Sequence, residues 1–127
     1  MTSLNPTLFP GVSSSVLAHE GFLDAQAETA PQILAEVRSL LSQHNTNSLT
    51  LVSIKVIFVF LPLILGQVGH SLGGAIAEID SLFFALNIPG VSIKTVTYGT
   101  PRVGNLDFAQ LIDSYVRFTI SKRHSWR

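Results

Sequence analysis

The spacing of apolar residues predicts helices and strands in alternation. Apolar positions recur at three- and four-residue steps over residues 33–41 and again over residues 76–86, as expected on one face of a helix. Strict alternation predicts a strand over residues 91–98, and a buried strand rich in Val, Ile and Phe is predicted for residues 54–60. A last helix is expected to begin near Asn105. This order is typical of an α/β fold, in which helices cover a parallel sheet.

A pentapeptide of the form G-x-S-x-G, Gly69-His70-Ser71-Leu72-Gly73, lies between a predicted strand and a predicted helix. In a nucleophile elbow this arrangement places the serine on a sharp, strained turn, and the glycines let strand and helix approach closely. The hydroxyl of Ser71 would then project from the carboxyl end of the sheet, and the backbone N–H of Leu72 would donate to an oxyanion. An ordinary glycine-rich turn with a capping serine is the alternative.

Two further motifs accompany the pentapeptide: HEGF at residues 19–22 precedes it, and YGTPRVGN at residues 98–105 follows it. With GHSLGGA at residues 69–75, they make the chain resemble the fungal class 3 lipases over roughly residues 8–51 and 68–116. The resemblance implies a partial α/β-hydrolase fold with a parallel sheet, flanking helices and a nucleophile elbow. It also implies a serine hydrolase of triacylglycerols and related carboxylic esters that acts at a lipid–water interface and needs no cofactor.

The two accompanying motifs are expected to serve the scaffold. His19 lies in a segment that leads into a long helix in the family, so we interpret this residue as structural rather than catalytic. The turn at residues 101–105 is likewise a scaffold element, in which Arg102 is expected to bond a backbone or carboxylate oxygen. The resemblance therefore places the chemistry on Ser71 and its elbow.

An apolar segment interrupts the resemblance. The family runs directly from strand into elbow, whereas sixteen residues, 52–67, separate Leu51 from Val68 in this chain. Without them the sequence reads TLVGHS across the junction. Their codons can begin with a splice donor, GTAAGT, and end with CAG. Our hypothesis is that residues 1–127 are one partial class 3 lipase-like domain in which residues 52–67 are a translated intron.

The ends of the chain also depart from the family. The triad of this fold follows the order serine, acid, histidine, and in the family the acid and the histidine lie beyond the matched region. Residues 117–127 form a basic tail without family resemblance, and residues 1–18 lack the turn that supplies a second oxyanion donor. Asp107, Asp113 and His124 follow the required order, but we expect solvated or capping roles for them. We therefore expect negligible ester hydrolysis by this chain alone.

Composition narrows the function further. Eight basic and eight acidic residues give a formal net charge of zero, so no overall field attracts nucleic acid. With no cysteine, disulfides, thiolate zinc sites and cysteine nucleophiles are excluded, and the four histidines lack metal-ligand spacing. No lysine follows the glycines as a phosphate cradle would require. The first residues lack the pattern of a signal peptide, so an extracellular location rests on the resemblance alone.

The uncharged apolar run at residues 56–65 supports a second hypothesis. An exposed run of this kind is an aggregation hazard unless something covers it. A transmembrane helix needs about 20 apolar residues, and this run is shorter and is interrupted around Pro62 and Gly66. The alternative to an ester hydrolase is therefore a non-catalytic product that associates with a membrane or a partner through residues 56–65.

Overall fold

Helices and strands alternate in the part of the chain that the computed structural model describes, residues 1–52 and 71–121. The helices predicted over residues 33–41 and 76–86, the strand over residues 91–98 and the helix after Asn105 are confirmed. The strand predicted at residues 54–60 lies outside the described residues. In chain order the elements are β1 (Thr2–Ser3), β2 (Leu17–Ala18), α1 (Glu20–Ala27), α2 (Ala30–Gln43), β3 (Ser48–Val52), α3 (Leu72–Asn87), β4 (Ser92–Tyr98), α4 (Leu106–Tyr115) and β5 (Arg117–Ser121).

Strands β3, β4 and β5 form a parallel sheet with β4 in the centre. Helix α3 precedes β4 in the chain, and α4 connects β4 to β5, as parallel connections require. The basic segment after Val116, which the sequence led us to describe as a tail, begins with β5. Because the strands are parallel, their carboxyl ends share one edge of the sheet, where ligands of open α/β sheets bind.

Helix α3 forms the centre of the core. It packs against β4 and against α1, and nine of its sixteen residues are buried. Buried residues occur around most of its circumference, which is typical of a helix inside a core rather than on a surface. The Phe83 ring meets Phe9 edge-on, with ring centroids 5.9 Å apart. The buried residues of α3 are Gly74, Ala75, Ala77, Ile79, Asp80, Ser81, Leu82, Phe83 and Phe84.

The carboxyl end of α3 is tied to two other segments. Arg38, on α2, donates from Nη2 to the carbonyl of Asn87 at 2.7 Å. Asn87 in turn donates from Nδ2 to the carbonyls of Leu8 and Phe83, each at 2.8 Å. The last carbonyls of a helix have no partner within it, and a cation is favourable beside them. These bonds hold the end of α3 that lies farthest from Ser71.

A second set of bonds joins the amino-terminal strands to the start of α4. Asn105 Oδ1 accepts from the N–H groups of Leu17, at 3.2 Å, and Phe108, at 3.0 Å. The amide nitrogen of the same side chain donates to the carbonyl of Ser15 at 2.8 Å. Asn105 is therefore both the cap of α4 and the link between this helix and the segment before β2.

A membrane-spanning helix needs about 20 apolar residues. Within residues 1–52 and 71–121, no helix combines that length with sufficient apolar character to cross a bilayer. The apolar run at residues 56–65, on which the second hypothesis depends, lies outside the described residues.

Candidate active site at the start of helix α3

Ser71 lies immediately before α3, at the amino end of the central helix. Its backbone has φ 61° and ψ −111°, so a residue with a Cβ atom occupies a region that glycine prefers. Among the described residues, Asn45 is the one other non-glycine with positive φ. Such strain costs about 1–3 kcal/mol and persists only where the surrounding structure enforces it. The turn at Ser71 is therefore sharp and strained, as a nucleophile elbow requires.

Backbone hydrogen bonds hold this turn between sheet and helix. The N–H of Ser71 donates to the carbonyl of Tyr98, the last residue of β4, at 3.4 Å. The carbonyl of Ser71 accepts from Gly74 at 3.0 Å and from Ala75 at 3.2 Å, which are the first bonds of the helix. Ser71 itself is exposed to solvent. The residue therefore lies at the carboxyl edge of the sheet with one side open.

The Ser71 side chain makes no capping bond to α3, so the alternative of a capping serine does not hold. The first N–H groups of a helix have no acceptor within it and carry a partial positive charge. The N–H of Leu72 is one of these groups, and no acidic residue lies in this first turn. Backbone donors at a helix start, next to a hydroxyl that does not cap the helix, are an arrangement that can stabilise a developing oxyanion.

Close packing at the start of α3 depends on Gly74. A Cβ atom built on this residue would lie 2.5 Å from Thr100 Oγ1 and 3.3 Å from Thr100 Cβ. At Gly73, the second glycine of the pentapeptide, no atom of the described residues lies within 4 Å of such a Cβ. In the described part of the molecule, the close approach is therefore between the helix and the loop after β4, and it falls one residue after the pentapeptide.

Two threonine hydroxyls near this edge have no hydrogen-bond partner among the described residues. Thr97 is fully buried on β4, and its Oγ1 is unpaired, as is Oγ1 of Thr100 beside Gly74. The sequence motifs do not single out either residue. The one signal for Thr97 was its place on the buried side of the alternation that predicts β4. An unsatisfied buried hydroxyl costs about 1–3 kcal/mol.

The remaining candidates fall in three places. Gly69 and His70 of the pentapeptide lie outside the described residues, as does His124. Asp107 is in the first turn of α4, where a carboxylate favours the helix dipole, and Asp113 is exposed on the same helix. Both positions fit the solvated or capping roles expected from the sequence.

The two accompanying motifs contact each other. The backbone N–H of His19 donates to the carbonyl of Val103 at 2.8 Å, and the His19 ring stacks on Phe22 with centroids 4.4 Å apart. Arg102 donates from Nε to the carbonyl of Gly104 at 3.1 Å, a backbone bond of the kind expected. The HEGF and YGTPRVGN motifs therefore share one folded unit that links the start of α1 to the loop after β4.

A buried polar pair was not foreseen from the sequence. Gln26 on α1 donates from Nε2 to Asp80 Oδ1 at 3.1 Å, and both side chains are fully buried. A buried carboxylate needs hydrogen bonds to offset its desolvation, so this pair constrains how α1 packs on α3. No periodicity distinguishes such a pair from surface polar residues. Among the described residues, no group of three or more His, Cys, Asp or Glu could hold a metal ion.

Comparison with known proteins gives consistent results. The model of the class 3 lipases matches residues 2–124. Secreted mono- and diacylglycerol lipase 1 of Fusarium solani is 35% identical over 94 residues, which are 74% of this chain and 23% of that protein. Secreted mono- and diacylglycerol lipase 2 of Gibberella zeae is 30% identical over 95 residues, 75% of this chain and 19% of that protein.

Solved structures show the same fold. A triacylglycerol lipase from Penicillium expansum superposes with a TM-score of 0.69 at 22% identity, covering 94% of this chain and 39% of that one. The Rhizomucor miehei triacylglyceride lipase gives 0.66 at 26% identity, covering 97% and 41%. The fold is therefore a partial α/β-hydrolase, and the chain spans about a quarter or less of the two curated relatives above. The chain belongs to the class 3 lipase family.

Proposed function

We propose that this chain carries the nucleophile of a lipase-like carboxylic ester hydrolase and that Ser71 is that nucleophile. The observation that carries the proposal is the exposed, strained turn at Ser71, whose side chain is not used to cap the helix that follows. A hydroxyl held away from local bonds at the amino end of a buried helix is suited to attack an ester carbonyl.

The reaction follows from the donors around the turn. Attack of Ser71 Oγ on the carbonyl carbon would place the negative charge on the former carbonyl oxygen, within reach of the Leu72 N–H and the positive end of α3. Collapse of this intermediate expels the alcohol and leaves an acyl group on Oγ, which water then removes. The proton of the hydroxyl must pass to a general base during attack.

We propose that the base comes from outside the described residues. Among the described residues, no side chain hydrogen-bonds to Ser71 Oγ, and the His19 ring is stacked on Phe22. In a serine protease used as a reference case, loss of the histidine costs about 10⁶ in turnover, and about 10³–10⁴ over water remains from the oxyanion site and binding. We therefore expect negligible hydrolysis of tributyrin by this chain alone.

The substrate and location are proposed from the relatives. Those proteins are named secreted mono- and diacylglycerol lipases, so we propose acylglycerols or similar lipid esters at a lipid–water interface as substrates. By the same comparison we propose that the protein acts outside the cell. Nucleic acid is not proposed as a partner, because the formal net charge is zero.

Labelling with a fluorophosphonate tests the proposal. Ser71 is expected to react faster than an ordinary exposed serine, because the Leu72 N–H and the positive end of α3 act even without a base. Ser114, exposed on α4 and bonded to the carbonyl of Leu111, is the internal control. Peptide mapping of the full chain and of Ser71→Ala measures both sites. Equal labelling of Ser71 and Ser114 would contradict the proposal, and partition of the unlabelled chain into detergent would then favour association through residues 56–65.

A further inference from the structure

The register of β3 on β4 shows how long the connection to Ser71 needs to be. Pairing advances one residue at a time from Ser48 opposite Ser92 to Val52 opposite Val96. Strand β4 then continues through Thr97 and Tyr98. Beyond Val52, the next place where the described chain touches this side of β4 is the bond from the Ser71 N–H to the Tyr98 carbonyl.

The bond between Ser71 and Tyr98 is one that an extension of β3 would make with β4, both in its position along β4 and in the backbone groups that it uses. In a parallel pair, the N–H of a strand residue donates to the residue before its opposite number. A donor to Tyr98 therefore lies opposite Gly99. The backbone N–H and C=O groups of the even-numbered residues of β4 point towards β3, because the N–H of Ser92 donates to the carbonyl of Asn47. Tyr98 is also even-numbered, so Ser71 occupies a true ladder position of the strand.

Counting along the two chains gives the excess length. Gly99 is three positions after Val96, whereas Ser71 is nineteen positions after Val52. The chain thus contains sixteen residues more than an uninterrupted strand would need. This excess equals the sixteen residues that interrupt TLVGHS in the sequence.

We infer that residues 53–68 are an insertion into a strand that would otherwise run directly from Val52 to the turn at Ser71. Val52 and Val68 are the same residue type, so removing 53–68 or 52–67 gives an identical sequence. Every described residue is kept in that shorter chain. In the shorter chain, only two residues would lie between Val52 and Ser71, the number needed to match the two residues of β4 between Val96 and Gly99.

A series of three deletions tests the inference: residues 53–68, which removes sixteen, and the matched controls 54–68 and 52–68, which remove fifteen and seventeen. An ordinary surface loop tolerates small changes in length, because closure entropy varies slowly with loop size. A strand does not, since a slip of one residue turns every following side chain to the opposite face. The register inference therefore singles out the sixteen-residue deletion.

Among the three deletions, the one that removes sixteen residues is expected to have the highest midpoint of thermal unfolding. The midpoint of thermal unfolding should exceed that of the full chain and of both controls by about 4 °C or more. Fluorophosphonate labelling of Ser71 should also be fastest in this variant. Equal midpoints across the three deletions, or a sixteen-residue variant that does not fold, would overturn the inference.

The two readouts separate this inference from the proposed function. The labelling rate rests on Ser71 being the nucleophile, whereas the unfolding midpoint does not. A midpoint that peaks at sixteen without labelling above the Ser71→Ala background would retain the register and remove the hydrolase proposal. A flat midpoint with selective labelling of Ser71 in the full chain would do the reverse.

Discussion

Two helices of this molecule begin in opposite ways. Helix α4 begins at Asn105, whose backbone is extended and whose side chain accepts from the N–H of Phe108. Helix α3 begins at Ser71, whose backbone has positive φ and whose side chain makes no capping bond. At α4, the Asn105 side chain stabilises the helix start. At α3, the Ser71 side chain does not cap the helix, and the backbone is strained.

The difference between these two helix starts indicates that the fold is less stable at Ser71 than a capped start would make it. Capping residues contribute about 0.5–2 kcal/mol, and Asn105 adds bonds to two further segments. Ser71 forgoes a cap and holds a conformation that disfavours any residue with a Cβ. Locally unfavourable choices in a well-packed protein are expected at functional positions. Each beginning also relies on one tightly packed glycine, Gly104 or Gly74, so the comparison can be tested by substitution.

The largest effect is expected from Gly104→Ala. The new Cβ would lie 2.6 Å from the Leu17 carbonyl oxygen and 2.6 Å from Cβ and Cγ of Phe108. Backbone cannot move aside as a flexible side chain can, so we expect a loss of about 3 kcal/mol in the free energy of unfolding. Urea denaturation measures it, with Gly73→Ala as the control. A loss within 0.5 kcal/mol (about the range of ordinary surface changes) would contradict this account of the α4 junction.

A smaller loss, about 2 kcal/mol, is expected from Gly74→Ala, because its closest neighbour is the short side chain of Thr100 rather than a carbonyl. Thr100→Ala removes the clashing atom and, since Oγ1 is unpaired among the described residues, should cost little alone. The double variant should recover about half of the loss in a double-mutant cycle. If the losses of the two single variants add in the double variant, Thr100 is not the residue that makes an alanine at position 74 unfavourable.

The cap of α4 is expected to contribute less than either glycine. Asn105→Ala removes three hydrogen bonds and should lower the free energy of unfolding by about 1.5 kcal/mol. Asn105→Asp keeps the acceptor for Leu17 and Phe108 and loses only the donor to Ser15, so most of the stability should remain. Guanidinium denaturation of both variants measures the difference. Equal losses for Ala and Asp would assign the effect to the exposed bond with Ser15.

The smallest effect, and one of opposite sign, is expected at Ser71. Glycine adopts φ 61° and ψ −111° without a Cβ penalty, so Ser71→Gly should raise the free energy of unfolding by about 1 kcal/mol. Ser71→Ala removes the hydroxyl and keeps the Cβ, so its stability should stay close to that of the parent chain. Thermal unfolding of the pair isolates the backbone strain. A glycine variant no more stable than the alanine variant would mean that the turn stores no strain.

Much of this fold could be predicted because its signals are local. The alternation that predicts β4 is one of neighbouring residues, and the periodicity of α3 lies within a few turns. The sharp turn at Ser71 was predictable for the same reason, since the pentapeptide directly precedes the helical pattern of α3 in the chain. Asn105 was foreseen as a cap, which is a local property, but not as the link to Leu17 and Ser15, which are distant in sequence.

What escaped prediction depends on contacts between distant segments. β5 lies in the basic segment that we interpreted as a tail. Phe118 and Ile120 alternate with polar residues there, but the run is short, and pairing with β4 defines it as a strand. Nothing in the sequence distinguishes Gly74 from Gly73 before Thr100 is placed beside one of them. The Gln26–Asp80 pair joins residues fifty-four apart, and each alone resembles a surface residue of a helix.

The hydrogen bonds at Asn87 fix the carboxyl end of α3, so a change there would also move Ser71 at the amino end of the helix. Sixteen residues at about 1.5 Å each give a rod about 24 Å long. With Asn87 held by Arg38 and bonded to Leu8, a tilt of about 2–3° at that anchor would displace the Ser71 hydroxyl by about 1 Å, and errors of that size can cost about 100-fold in rate. Arg38, an exposed residue on α2, thus helps to position the serine that we propose as the nucleophile.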